Sequence, residues 1–218
     1  MQALTSLHEG LGSGSNGSSE HIQVLIEQLR VFCATEDAEA YLVGGLIRDV
    51  LLGRKTTDVD LVLIGGGSEI LHRLASALKS RLIPLDPSRN ITRIMAKINE
   101  NVFQVDVNSV QGEIEADLRQ RDFSIDALAV PIYLSRNLFR DQSTEVLDPT
   151  NGLSDLRRKI IRCTSPTVFR DDPARLLRGP RLAAQLGFQI TDCTSSYIRK
   201  QAHLIKSVAP ERVRDEFI

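Results

Sequence analysis

The sequence predicts an α/β body to about residue 162, followed by an all-helical segment over 163–218. Three observations carry that reading. Short apolar runs such as AYLV (40–43), DVDLVLI (58–64) and VFQVDVN (102–108) have the length and β-branched content of strands. Stretches with helical spacing alternate with them. From about 164 onward only helical spacing remains, in SPTVF, DPARLLRGPRLAAQLG, SYIRKQAHLI and PERVRDEF.

Residues 10–19, GLGSGSNGSS, have nothing to bury, so residues 1–19 are expected to be a flexible leading segment. EHIQVLIEQLRVFC then repeats apolar residues at 22, 25, 26, 29 and 32, a helical stripe. AYLV reads as a strand, GGLIRDVLLG as a short helix opened by Gly44-Gly45, and DVDLVLI as a second strand. SEILHRLASALKS is helical, with apolar residues at 70, 71, 74, 75 and 78. TRIMAKI and VFQVDVN read as strands and GEIEADLRQ as a helix. SIDALAVPIY passes from a turn into a strand, and TEVLDP is a short strand ending in a turn. IGGGS (64–68) lacks the Lys-Ser/Thr of a P-loop and the spacing of a dinucleotide fingerprint, which leaves a turn.

The 218 residues are 42% hydrophobic and 25% charged, with a net charge of −1. That balance excludes a whole-chain basic signal for nucleic acid, so any such signal is local. Cys33, Cys163 and Cys193 have neither metal nor redox spacing, which suggests reduced thiols in a cytoplasmic compartment. The four histidines stand far apart, against a His-based metal site. No apolar run approaches the roughly 20 residues of a membrane span, so no membrane partner is expected. The N-terminus lacks the layout of a signal peptide.

Asp58 and Asp60 open an apolar strand. Alternation points both to one face, roughly 6–7 Å apart, where like charges repel. Taken alone, a D-x-D tripeptide is more often a pair of acids capping a strand in solvent. A divalent cation would equally remove the repulsion, and hard Mg²⁺ prefers carboxylate oxygens. A third acid, Asp106, lies on the polar face of VFQVDVN. Three carboxylates on two neighbouring strands suit two metal ions in phosphoryl chemistry.

Gly44-Gly45 at a strand-to-helix turn either serves the turn alone, as such glycines usually do, or offers free N–H groups to an anion, with Arg48 one turn on. Residues 154–181 hold eight Lys/Arg, among them Arg175 and Arg178, against three Asp. This local basic patch suits a triphosphate or an RNA backbone, or simply a solvated helical face. Asp172 precedes Pro173 and is therefore a natural N-cap, with Arg175 three residues on. Such a pair either makes a local salt bridge or reads a base edge, the carboxylate accepting from an exocyclic amine and the guanidinium donating.

The order LVGGLIRDVLLGRKTTDVDLVL resembles the signature of the tRNA nucleotidyltransferase (CCA-adding) and bacterial poly(A) polymerase family, a branch of the DNA polymerase beta-like nucleotidyltransferases. RDFSIDALA (121–129) is similar to the family's Arg-Arg-Asp-Phe-Thr-Ile-Asn-Ala block, and DPTNGLSDLRRKIIR (148–162) to its hinge motif. FRDDPARLLRGPRLAAQLGF (169–188) resembles its nucleobase-reading motif, and PERVRDE (210–216) its last head-and-neck motif.

The resemblance implies a head with a mixed sheet and flanking helices over 20–162, then a helical neck over 163–218. It implies Mg²⁺ on Asp58 and Asp60; Asp106, from its place on the polar face of the neighbouring strand, is the third catalytic candidate. It also implies transfer of CMP or AMP from CTP or ATP to RNA 3′ ends, foremost tRNA, with release of pyrophosphate. Gly44, Gly45, Arg48 and Asp49 match the triphosphate-proximal motif; Arg121, Asp122 and Asp126 fall in the block near sugar and triphosphate; Asp172 and Arg175 match the base-reading pair, with Arg178 beside them.

Gln120 stands where the family has a first Arg, and Asp126 where it has Asn. Gly179-Pro180 interrupts a helix, and an interior proline costs about 3 kcal/mol and favours a kink. PERVRDEFI stops inside an amphipathic helix, which suggests a fragment or a short protein that borrows its RNA grip. Two other function classes fit the same residues: a nucleotide-binding module that has lost catalysis, and a metal-dependent phosphohydrolase.

Overall fold

The computed structural model describes residues 17–86, 90–138 and 145–217. Of the expected flexible segment 1–19, residues 1–16 lie outside that range, and the first helix begins at Gly17. Contacts divide the chain into two units, Met1–Ala116 with Ala129–Leu147 and Asp117–Leu128 with Asp148–Ile218. This division departs from the composition shift at 162. The segments 117–128 and 148–162 pack with the helical unit, through backbone pairs such as Ser124 N–H to Arg162 O and Thr164 N–H to Asp122 O.

In the first unit, α1 (Gly17–Thr35) is followed by β1 (Ala40–Val43), α2 (Gly45–Leu51), β2 (Asp58–Ile64) and α3 (Ser68–Ala77). β3 (Leu82–Asp86), β4 (Ile91–Ile98) and β5 (Asn101–Val110) come next, then α4 (Ile114–Gln120), which runs across the division. β6 (Ala129–Pro131), a short 3-10 turn and α5 (Ser135–Leu138) complete the unit. The strands form one six-stranded sheet in the order β3-β4-β5-β2-β1-β6. β2 and β5 are parallel and the other neighbours antiparallel, so the sheet is mixed.

Alternation sorts the two faces. Ile94, Ala96 and Ile98 of β4, and Phe103, Val105 and Val107 of β5, are buried, while Arg93, Met95, Lys97, Gln104 and Asp106 take the other face. α1 supplies the expected stripe, with Ile22, Leu25, Ile26 and Leu29 buried. In this unit the sequence reading missed one strand and overread another. β3 holds Pro84, which argues against a strand, yet β3 lies at the sheet edge, where a missing N–H is tolerated. Of TEVLDP (144–149), residue 144 lies outside the described residues, and Leu147 makes an isolated bridge to Ala129 in place of the expected strand.

The second unit holds a 3-10 turn over Ser124–Asp126, α6 (Gly152–Arg158), β7 (Ile160–Ile161), α7 (Val168–Asp171), α8 (Arg175–Leu186), β8 (Gln189–Ile190), α9 (Asp192–Gln201) and α10 (Pro210–Asp215). Over 163–218 it is helical as expected, apart from β8, which pairs in parallel with β7. Two residues are too few to leave a period in the sequence. Pro180 does not end α8, which runs through it. Gly179 is there for packing: a Cβ would sit 3.0 Å from Phe123 Cζ and 3.2 Å from Ile198 Cδ1. Phe123 in turn meets Phe169, centroids 6.3 Å apart and tilted by 56°.

Candidate active site

Strand register gathers the predicted residues of the first unit. The parallel pairing sets Asp58 opposite Gln104 and Asp60 opposite Asp106. Antiparallel β1 sets Val43 opposite Asp60, so the Gly44-Gly45 turn leaves the sheet beside that carboxylate. Asp58 is exposed, and Asp60 and Asp106 are half-buried. Gly44 has φ 71° and ψ −139°, a conformation closed to side chains with a Cβ.

Arg48 is buried and turns back over Gly45, where a Cβ would lie 3.3 Å from its Nη2. It donates twice to Asp49, from Nε to Oδ1 at 3.0 Å and from Nη2 to Oδ2 at 2.9 Å. Arg54 stands 3.7 Å from the same carboxylate. The two residues matched to the triphosphate motif are therefore ion-paired with each other.

Arg93 was missed by the sequence reading. It lies opposite Asp106 on β4 and grips it with both arms of its fork, Nε to Oδ1 at 2.7 Å and Nη2 to Oδ2 at 2.8 Å. Its guanidinium is raised above its ordinary range, first by the Asp106 hydrogen bond, against burial, and then by the charges of Asp106, Asp58 and Asp60. Alternation in TRIMAKI places Arg93 on a polar face, but pairing register is not written in a single strand.

Asp58 and Asp60 fit a hard divalent cation, because both offer carboxylate oxygens from one strand face. Among the described residues no group of three or more His, Cys, Asp or Glu side chains is arranged to hold a metal ion. The pair stands without Asp106, whose two oxygens are taken by Arg93.

In the second unit Asp122 is buried, its Oδ1 accepting from Phe123 N–H at 2.9 Å and its Oδ2 from Arg178 Nη1 at 2.8 Å. Arg178 also donates from Nε to Glu216 Oε1 at 2.9 Å, and Arg181 to Glu216 Oε2 at 2.7 Å. Burial is the strongest influence on Asp122 and works to raise it. The charges of Arg178 and Arg175, then the Phe123 N–H, outweigh burial and hold its carboxyl below the usual range. Burial likewise pulls Arg178 down, but Asp122 and Glu216 raise it overall.

This has a pH consequence. A carboxyl whose folded pKa is depressed adds stability above its unfolded value, about 3.9, and that stability is lost as pH falls through the folded value. Asp122→Asn is therefore expected to be less stable than wild type at pH 7, and the gap is expected to narrow below about pH 4. Urea denaturation of both proteins at pH 7 and pH 3 checks this.

Asp172 is buried but does not sit at the assigned N-cap of α8, which is Ala174. It ends α7 in an extended conformation and tightens the turn from there, its Oδ1 accepting from Ala174 N–H at 3.3 Å. Pro173 and Ala174 form that turn, so the helix starts two residues later than the Asp-Pro signal places it. Asp172 Oδ2 accepts from Arg212 Nη2 at 2.8 Å, while Arg175 Nη1 donates to the carbonyls of Gln120 at 3.3 Å and Val168 at 3.4 Å. Arg212 and Glu216 are further partners missed by the sequence reading. Their i, i+4 spacing in PERVRDE was the available signal.

Arg121 pairs with Asp117 one turn back, and Asp126 is buried in the 3-10 turn. Cys33 and Cys163 are buried and unbridged, and burial pushes the Cys33 thiol up to about 11. A cavity of about 300 Å³, lined by Arg30, Cys33, Glu39, Tyr41 and Tyr133 among others, contains none of the predicted site residues. No helix among the described residues is long and apolar enough to cross a membrane.

Comparison with known proteins shows the family. Residues 40–162 match the poly A polymerase head domain, and residues 187–218 match the probable RNA and SrmB-binding site of polymerase A. The CC-adding tRNA nucleotidyltransferase of Geobacter sulfurreducens is 39% identical over 178 residues, covering 81% of this chain and 39% of its own. The enzyme of the same name from Synechocystis is 35% identical over 200 residues, covering 90% and 45%. A solved CCA-adding enzyme of Thermotoga maritima, complexed with tRNA, is similar at a TM-score of 0.74 and 27% identity, covering 89% of this chain and 46% of that one. The chain thus spans less than half the length of these relatives. The head-domain match covers the whole of the strand arrangement that assembles the carboxylates, and the chain belongs to the tRNA nucleotidyltransferase and poly(A) polymerase family.

Proposed function

We propose that this chain transfers ribonucleotides to the 3′ ends of tRNA without a template, adding CMP from CTP, and AMP from ATP where the reaction continues. The observation that carries the reading is the register of β2 against β5, which sets Asp60 opposite Asp106 with Asp58 one step along the same face. The names of the relatives supply the acceptor and favour cytidine addition. In the reaction the acceptor's 3′-hydroxyl attacks the α-phosphate and pyrophosphate leaves.

Asp58 and Asp60 would hold Mg²⁺, which when bound offsets triphosphate charge and favours the ionised hydroxyl. The Gly44-Gly45 turn, with no Cβ in the way, lets a triphosphate approach the backbone beside Asp60. Arg48, its fork held by Asp49, is fixed beside that turn as a donor for phosphate oxygens. In the second unit Asp122 fixes Arg178 and Gln120 O holds Arg175, so both guanidinium groups are preorganised. Asp172 and Arg175 are the residues assigned to the base edge, with Arg212 steadying the carboxylate. The three cysteines form no disulfide, in keeping with a cytoplasmic site of action.

The test is incorporation of each labelled ribonucleotide, with Mg²⁺, into tRNA ending before, within and after CCA. C addition to tRNA lacking CCA supports the reading, and C followed by A identifies complete CCA synthesis. The family's poly A polymerase description gives the second reading, for which A alone would be added to many RNAs.

A further inference from the structure

We propose that Arg93 is a positioning residue for cation loading: a built-in counter-ion that holds Asp106 in place until a divalent cation takes over that carboxylate. The inference rests on the reading that Asp58 and Asp60 hold such a cation.

Three carboxylates on one sheet face repel one another, and the sheet itself supplies the remedy. β4 pairs with β5 so that Arg93 falls directly opposite Asp106, which falls directly opposite Asp60 on β2. The row across the face therefore reads Arg93, Asp106, Asp60. Both Asp106 oxygens are bound by the fork, at 2.7 and 2.8 Å, which fixes the carboxylate rotamer. Those same oxygens are the ones a cation beside Asp60 would need, so fork and cation compete.

The exchange is possible because the ion pair is only partly buried. The side chains are 32% and 25% exposed, so water screens the pair in part, and a cation can compete for a carboxylate that a fully buried pair would hold. A fully buried pair would not release its partner; one in solvent would not order Asp106 at all. Arg93 reaches across from β4, one strand in from the sheet edge, and its side chain is already partly exposed.

The test is thermal unfolding of wild type, Arg93→Met and Arg93→Lys, in EDTA and across a MgCl₂ titration, without nucleotide or RNA. Arg93→Met is expected to melt lower than wild type in EDTA, because three acids lose their counter-ion. Its half-maximal stabilisation is expected at about fivefold less Mg²⁺, because the competitor is gone. Arg93→Lys keeps the charge without the fork, should fold in any case, and is expected to fall between the two.

A lower melting point with an unchanged Mg²⁺ midpoint would show a purely structural ion pair and overturn the proposal. A higher midpoint would overturn it too, since Arg93 would then be helping the cation. If wild type shows Mg²⁺-dependent stabilisation that Asp58→Asn abolishes, the cation reading stands whatever the Arg93 variants do. If wild type shows none, both fall.

Discussion

Asp60→Ala is expected to lower nucleotide incorporation by at least about 10³-fold while leaving the protein folded. Register places Asp60 at the centre of the proposed site. Val43 flanks it on β1, just before the glycine turn, and Asp106 flanks it on β5. Removing its carboxylate takes away one of the two donors assigned to the cation and the neighbour of the third acid. The fold should tolerate the loss, because Asp60 adds negative charge to a face that already carries Asp58 and Asp106 and has Arg93 as counter-ion. Its strand is anchored by Val59, Leu61, Val62 and Leu63, all fully buried. The expected stability change is within about 1 kcal/mol. Parallel incorporation assays and urea denaturation check both halves of the expectation; a variant that loses activity only because it unfolds would contradict it.

Gly152→Ala is expected to produce the largest loss of stability, about 3 kcal/mol or more. Gly152 opens α6, and a Cβ there would lie 2.0 Å from the carbonyl oxygen of Ser124 and 3.1 Å from Leu128 Cδ2. The obstructing atom is backbone and cannot rotate away. The surroundings are also tied down. Gly152 N–H and Leu153 N–H donate to the two oxygens of Asp148, at 2.7 and 2.9 Å, and Ser124 Oγ donates to Asp155 Oδ2 at 2.5 Å. Arg162 completes the cluster, 2.6 Å from Asp155. Moving α6 away from the added methyl would break several of these bonds together. The midpoint of urea unfolding, compared with that of Gly67→Ala, checks this, because a Cβ at Gly67 meets nothing within 4 Å.

Why the glycine matters could not be read from NGLSD, where it looks like an ordinary helix-opening residue. Its constraint comes from Ser124, 28 positions away, and only packing reveals it. The same separation governs the site. Asp58, Asp60 and Asp106 were legible because each announces itself locally, as an acid on the polar face of an alternating strand. Their grouping is a matter of register, and so is Arg93, which carries no local mark beyond alternation. Asp122 and Arg178 were each visible as site candidates, but not as partners, since they meet across 56 positions. The strands β2, β4 and β5 were legible from alternation, whereas β3 was masked by Pro84 and β7 and β8 are too short for a period. Asp172 shows how a local rule can be half right. Its carboxylate does tighten the turn before α8, but it also answers to Arg212, 40 positions away.

The Asp58–Asp60 pair is proposed to couple nucleotide incorporation to pyrophosphate release. The most direct measurement follows labelled CMP incorporation and pyrophosphate release together, with CTP, Mg²⁺ and a tRNA lacking its CCA end, in wild type and Asp58→Ala. Equal amounts of both products, dependent on Mg²⁺ and absent from the variant, are predicted. Orthophosphate release without RNA extension, or CTP binding that produces neither product and is unchanged in Asp58→Ala, would contradict it.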